Sequence, residues 1–296
     1  MSIIAAGAVT DFVVENNILY AATDQGIVDV FDLRNGNRIK QFTLPSITDF
    51  MGDEIAAKIY SIDKSDDQLL LVVQGKHGFR NVLIHQNDNF NKIIDADKDK
   101  MLIKKARFVD ENKVLFGLLS NEIILFDIPT CQQIYKLQIS AYSFSDYFFN
   151  EDKSEVITAD ESGIIHNISV SDGKFLKEYS GNNVDNVYQT VYHNGIIITG
   201  GQDRRVGIYN TANADNYFLE GDFLVYSVGL SHDGSIGAFS SSEDNDISLF
   251  YTDTKEIFQT LMKHKSTITK ISFVSNSKII TSCEDPNINI WEINTK

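Results

Sequence analysis

The feature that constrains this chain most is a period. Short β-branched or aromatic runs recur along it, and Phe31, Ile84, Phe126, Ile168, Tyr209, Phe250 and Trp291 close equivalent runs at intervals of 53, 42, 42, 41, 41 and 41 residues. Residues 26–36 (GIVDVFDLRNG) lie over residues 163–173 (GIIHNISVSDG) without a gap. Helical periodicity is scarce, and each unit holds about four strand-like runs between Gly, Asn, Asp and Ser clusters. A four-stranded meander cannot bury both of its faces alone. Stacking the units around an axis packs each sheet on the next and protects the edges. The expected fold is therefore all-β, a seven-bladed β-propeller of four-stranded antiparallel blades that uses residues 1–296 as a single domain.

Two irregularities refine this expectation. The last unit offers strands at ITKISFV, KIITS and NINIWEI and no fourth. Residues 1–6 are apolar enough to supply it, as the closing strand of the last blade. The 53-residue interval places an insertion at residues 45–57, between the first and second blades. It carries Phe50 and Met51 flanked by Asp49, Asp53 and Glu54, an apolar tip with an acidic rim. That is the anatomy of an interface anchor, or of an aromatic that folds back to cap the two blades.

The last unit resembles the WD40 repeat family. His264 stands before its first strand, Ser282 lies in the second, Asp285 in the turn, and Trp291 follows six residues later. Asp203 to Tyr209 and Asp244 to Phe250 keep the same spacing, and Ser231-His232-Asp233-Gly234 is similar to a hairpin turn of the family. Trp occurs once, and the second unit has Gln74-Gly-Lys-His-Gly78 where the turn Asp should be, so the resemblance is to a degenerate member. It implies a propeller that holds other proteins, and a hydrogen-bonded structural relay of His264, Ser282, Asp285 and Trp291 within the last blade.

The chemistry of the remaining residues narrows the function. Lys and Arg number 26 against 41 Asp and Glu, a net charge of −15, which argues against a nucleic-acid backbone as partner. Cys131 and Cys283 have no metal-ligand spacing around them, and no His pairs with another at such a spacing. Asp95 to Lys100 imitates the opening of a calcium loop, but Lys100 replaces its Gly and Ala106 its final Glu. The run Lys98, Lys100, Lys104, Lys105, Arg107 is a basic cluster on an acidic protein, a steering patch or a hydrated loop. Asp203-Arg204-Arg205-Val206-Gly207 invites comparison with arginine pairs of phosphoinositide-binding propellers, although the motif's Phe is missing. Tyr60, Tyr188 and Tyr226 recur at first-strand openings, placed either to bind a peptide at a channel mouth or to pack between blades. No nucleotide, dinucleotide or hydrolase motif occurs.

Together these readings predict a non-catalytic interaction platform, a scaffold or an assembly or maturation accessory factor, with no cofactor and no metal. Its partners would be one or more proteins, without nucleic acid or membrane insertion. It would be cytoplasmic, monomeric by itself or a subunit of a complex. Phe50, Met51, Asp53, Glu54, Arg204 and Arg205 are the candidate partner-binding residues. Two alternatives are a propeller enzyme with an axial active site, which needs acids, bases or ligands at equivalent first-strand positions of several blades, and a propeller that binds phosphoinositides or other acidic ligands.

Overall fold

The computed structural model describes residues 1–213 and 215–294. Among them are seven four-stranded sheets, the architecture of a seven-bladed β-propeller. The first sheet is a meander of Val9–Glu15, Ile18–Thr23, Ile27–Asp32 and Asn37–Thr43. Five more follow over residues 59–94, 103–138, 144–179, 187–220 and 228–261. The seventh sheet is ordered Ser2–Ile4, Asn287–Glu292, Lys278–Cys283, Ile268–Ser275, so the N-terminal strand is its outer strand, as expected. The Ala5 N–H donates to the Pro286 carbonyl at 2.8 Å just beyond it.

Alternation along the strands explains the packing. In the second strand of the second sheet, Gln68–Gln74, Leu69, Leu71 and Val73 join a core with Ala22, Val28 and Leu44 of the first sheet and its exit. Leu70 and Val72, on the opposite face, join Phe108, Val114 and Phe116 of the third sheet. Such a strand is buried on both sides, which is why it reads as one continuous apolar run. The described chain groups by contact into two compact units, one of residues 1–139 with 284–288 and one holding the rest.

The innermost strand of each sheet is an edge, so one row of its backbone N–H groups has no ladder partner. In both units the preceding sheet supplies side-chain acceptors for this row. Asp11 Oδ2 accepts from the Ile62 N–H at 3.0 Å, and Ser61 Oγ from the Ala106 N–H at 3.4 Å. Asp146 Oδ2 accepts from Thr190 N–H at 3.2 Å, and Gln189 Oε1 from Val228 N–H at 3.3 Å. The four acceptors occupy one repeat position. A one-residue bulge, between Val9 and Asp11, Ile59 and Ser61, Phe144 and Asp146, and Val187 and Gln189, brings each of them to it. Arg107 adds a second clamp, donating from Nη2 to Asp11 Oδ2 at 2.8 Å and from Nη1 to Ser61 Oγ at 2.6 Å. Arg107 therefore leaves the basic run read from the sequence, since this ion pair is largely buried.

Asp11→Ala removes the acceptor of a buried N–H and the partner of a buried guanidinium. The expected loss is about 3–5 kcal/mol of unfolding free energy in urea titration. A loss under about 0.5 kcal/mol would contradict this role.

In the second unit the His193 ring is mostly buried, edge-on to Phe148 at 5.3 Å and 4.9 Å from the His232 ring. Burial, then the neighbouring His232, holds His193 down to about 4. Below the ordinary histidine value near 6.5 the unfolded chain takes up a proton that folded His193 refuses until about pH 4. Stability is thus full above pH 6.5 and falls by ~3 kcal/mol between pH 6.5 and 4 through this group. Urea unfolding across that window should show the fall, and His193→Gln should flatten it.

Candidate functional site

The insertion after the first sheet folds as a small hairpin of its own, Ile47–Thr48 paired with Glu54–Ile55. Its turn is tied by Asp49, whose Oδ1 accepts from the N–H groups of Met51 at 2.8 Å and Asp53 at 3.0 Å. Gly52 adopts φ +93°, a left-handed conformation that glycine takes without strain. Ile47 roots the hairpin against the core shared by the first and second sheets. Phe50 and Met51 at the tip are 93% and 74% exposed, with Asp53 and Glu54 exposed beside them. Phe50 does not fold back as a cap, because the Asp49-bound turn points it outward.

Connections from an outer strand to the next inner strand leave a meander at the same end as those between its second and third strands. The hairpin, the segment Gly75–Phe79 and the segment 95–102 therefore emerge at one end of the first unit's sheets. There Tyr60, at the bulge of its strand, lies under Arg80, whose guanidinium carbon is 3.9 Å from the ring centroid. The Lys58 ammonium is 5.4 Å from the same centroid. Arg80 is fixed further by its backbone N–H bond to the Met101 carbonyl at 3.0 Å and by Nη1 donating to the Gly78 carbonyl. Its Nε is buried without an acceptor among the described residues. No carboxylate among the described residues lies in ion-pair range of Arg80 or Lys58, and burial pulls Arg80 below the usual guanidinium value.

The 95–100 segment uses its carboxylates locally. Asp95 caps the short helix Ala96–Asp99 by accepting from the Asp97 and Lys98 N–H groups, and pairs with Lys92 at 3.0 Å. Its likeness to a calcium loop thus has a local cause, carboxylates spent on the segment's own backbone and a lysine. Elsewhere, Arg204 sits exposed in a left-handed turn. Arg205 begins the next strand, stacked 4.2 Å over Phe218 and donating to the Asn182 carbonyl at 3.3 Å. Tyr188 and Tyr226 stack on each other at 5.4 Å, half-buried, so these two pack between neighbouring sheets.

In the last blade the structure corrects the relay. The hydroxyl that joins His264 to Trp291 is that of Thr281, 2.6 Å from His264 Nε2 and accepting from Trp291 Nε1 at 2.8 Å. Ser282 is one residue on and faces the other side of the strand, where its Oγ meets Thr269 Oγ1 at 2.7 Å. Cys283 Sγ lies 3.0 Å from His264 Nδ1, and Asp285 Oδ1 accepts from the Asn287 N–H at 2.6 Å in its own turn. The fifth blade holds a version that sequence reading missed. Thr199 Oγ1 donates to Asn183 Oδ1 at 2.5 Å, Asn183 Nδ2 donates to Asp203 Oδ1 at 3.2 Å, and Tyr209 takes the Trp position. The signal for it was present, since Asn183 precedes its first strand by the same four residues as His264.

Comparison with known proteins agrees with this geometry. Residues 255–292 match the family described as WD domain, G-beta repeat. No curated protein sequence matches the chain. Among solved structures, the β-propeller domain of Cps50 (Swd1) from Myceliophteria thermophila is similar with a TM-score of 0.79 over 98% of each chain, at 13% identity. The structural similarity shows the β-propeller fold, and the family match makes its last repeat WD40-like.

Thr281→Val keeps the side chain's shape and strips His264 and Trp291 of their shared hydroxyl. It should cost about 1–3 kcal/mol in urea unfolding, and Ser282→Ala should cost less. The reverse order would return the relay to Ser282.

Proposed function

We propose that this propeller is a non-catalytic platform for other proteins. The observation that carries the reading is the hairpin at residues 47–55, which is rooted in the core, braced by Asp49 and used to hold Phe50 and Met51 in solvent. Neither side chain supports the fold, and a contiguous apolar tip with an acidic rim is what an interface core looks like before its partner arrives. Burying two such side chains against a partner is worth about 1.5–3 kcal/mol each. Asp53 and Glu54 at the rim favour a partner whose pocket has basic edges. The net charge of −15 works against nucleic acid in the same place. In this reading the protein is cytoplasmic and acts alone or as a subunit of a complex. A scaffold and an assembly or maturation factor would both use such a surface.

An axial active site is the weaker reading. It needs free acids, bases or ligands at equivalent first-strand positions, and Asp11, Ser61, Asp146 and Gln189 there are committed to backbone donors of the next sheet. A phosphoinositide site at Arg204 and Arg205 is weaker also, because Arg205 is already held over Phe218 and by Asn182.

The test is Phe50→Ala/Met51→Ala. Partners captured from the native organism, identified by mass spectrometry and reassembled from purified components, should bind the double variant at least about tenfold more weakly. Its melting temperature should match the wild type. Full affinity would remove the hairpin from the interface, and a large drop in melting temperature would make the tip structural instead.

A further inference from the structure

On a chain with 15 more acids than bases, one end of the second sheet gathers two cations around a single ring and leaves them without a counter-ion among the described residues. This arrangement is unfavourable for the free protein. Arg80 is half-buried and Lys58 partly so, their mutual repulsion is unrelieved, and Arg80 Nε has no acceptor. The nearby carboxylates are turned elsewhere: Asp97 is 3.9 Å from Lys76, and Asp95 is bound to Lys92 and to its own helix cap. Yet the guanidinium is held, not loose. Tyr60 supports one face and the Gly78 carbonyl takes Nη1, so the plane is set while Nη2 makes no bond among the described residues. A fixed guanidinium with one committed corner and an uncommitted Nη2 is a receptor for a carboxylate, which takes such a donor in a charge-assisted hydrogen bond.

We propose that Arg80, seated on Tyr60 and assisted by Lys58, binds a glutamate or aspartate side chain from an acidic segment of a partner protein. The carboxylate takes Nη2, the donor group that the fixed guanidinium leaves open. The inference rests on the platform reading and deepens it by naming a second contact of different chemistry at the end where the hairpin emerges. A peptide is the occupant, not a free anion, because a loose anion gains only this one pair. A chain of acidic residues also engages Lys58 and the exposed Lys76, Lys98 and Lys100 of the neighbouring segments.

The experiment follows the Arg80 Nε–Hε resonance of the full chain by two-dimensional NMR while acetylated, amidated pentaglutamate is added, with pentaglutamine and inorganic phosphate as separate probes. Pentaglutamate should shift the resonance saturably, and pentaglutamine should leave it in place. Measured by calorimetry, affinity for pentaglutamate should fall about tenfold in Arg80→Lys, which keeps charge but loses the planar fork, and further in Arg80→Ala. Lys58→Ala should weaken it by a smaller factor, and circular dichroism should show each variant folded. Equal affinity in wild type and Arg80→Ala would overturn the proposal, as would phosphate binding as tightly as pentaglutamate. Phe50→Ala/Met51→Ala should retain wild-type affinity for pentaglutamate. Loss of partner capture in that double variant with no pentaglutamate binding by wild type would therefore defeat this inference alone and leave the platform reading standing.

Discussion

The structure depends on how the inner edges of its sheets are satisfied, and four of them show how. An edge strand buried against its neighbours cannot offer its N–H row to water, and each stranded donor costs about 1–3 kcal/mol. Here the answer is a side chain from the preceding sheet, Asp11 for Ile62, Ser61 for Ala106, Asp146 for Thr190 and Gln189 for Val228. Because the acceptor and the donor belong to different sheets, the bond that completes one sheet also sets its place against the next. Apolar packing such as that of Leu69, Leu71 and Val73 then closes the space between them. The connections at the ends of the strands carry little of this burden, which leaves them free to lengthen, as the hairpin at residues 47–55 does.

Much of this order was legible in the sequence, and where it was not the reason is geometric. The period, the strand count and the outer strand drawn from the N-terminus followed from apolar spacing, because a strand buried on both faces leaves an unbroken run. The inner-edge position was not legible, because Asp, Ser and Gln look like unrelated residues until one asks what they share, which is an acceptor of the right reach. The relay was misplaced from Thr281 to Ser282 for a related reason. Which of two adjacent hydroxyls faces His264 is set by pairing with the inner strand, and that strand shifts register between Ile268 and Lys270. Arg80 escaped notice because its stretch breaks the repeat pattern. The cue was Tyr60 at a bulge with an arginine where the next two strands begin to pair.

The candidate interaction face shows the same division of labour from the other side. Phe50 and Met51 give up burial, and Arg80 gives up a counter-ion, at one end of the first unit. Exposed apolar side chains that support nothing in the fold, and a charge held without a counter-ion, are features whose stabilisation comes from a partner. The last blade, with Thr281 between His264 and Trp291, shows the opposite case, polar residues spent wholly on the interior.

Native-state hydrogen exchange tests the central claim most directly, because it reads the inner-edge donors one by one. The amides of Ile62, Thr190 and Val228 should exchange only through global unfolding, as slowly as the amides of the buried strand Gln68–Gln74. Exchange at the rate of exposed loop amides would show that the side-chain acceptors do not close the edge, and would contradict the account.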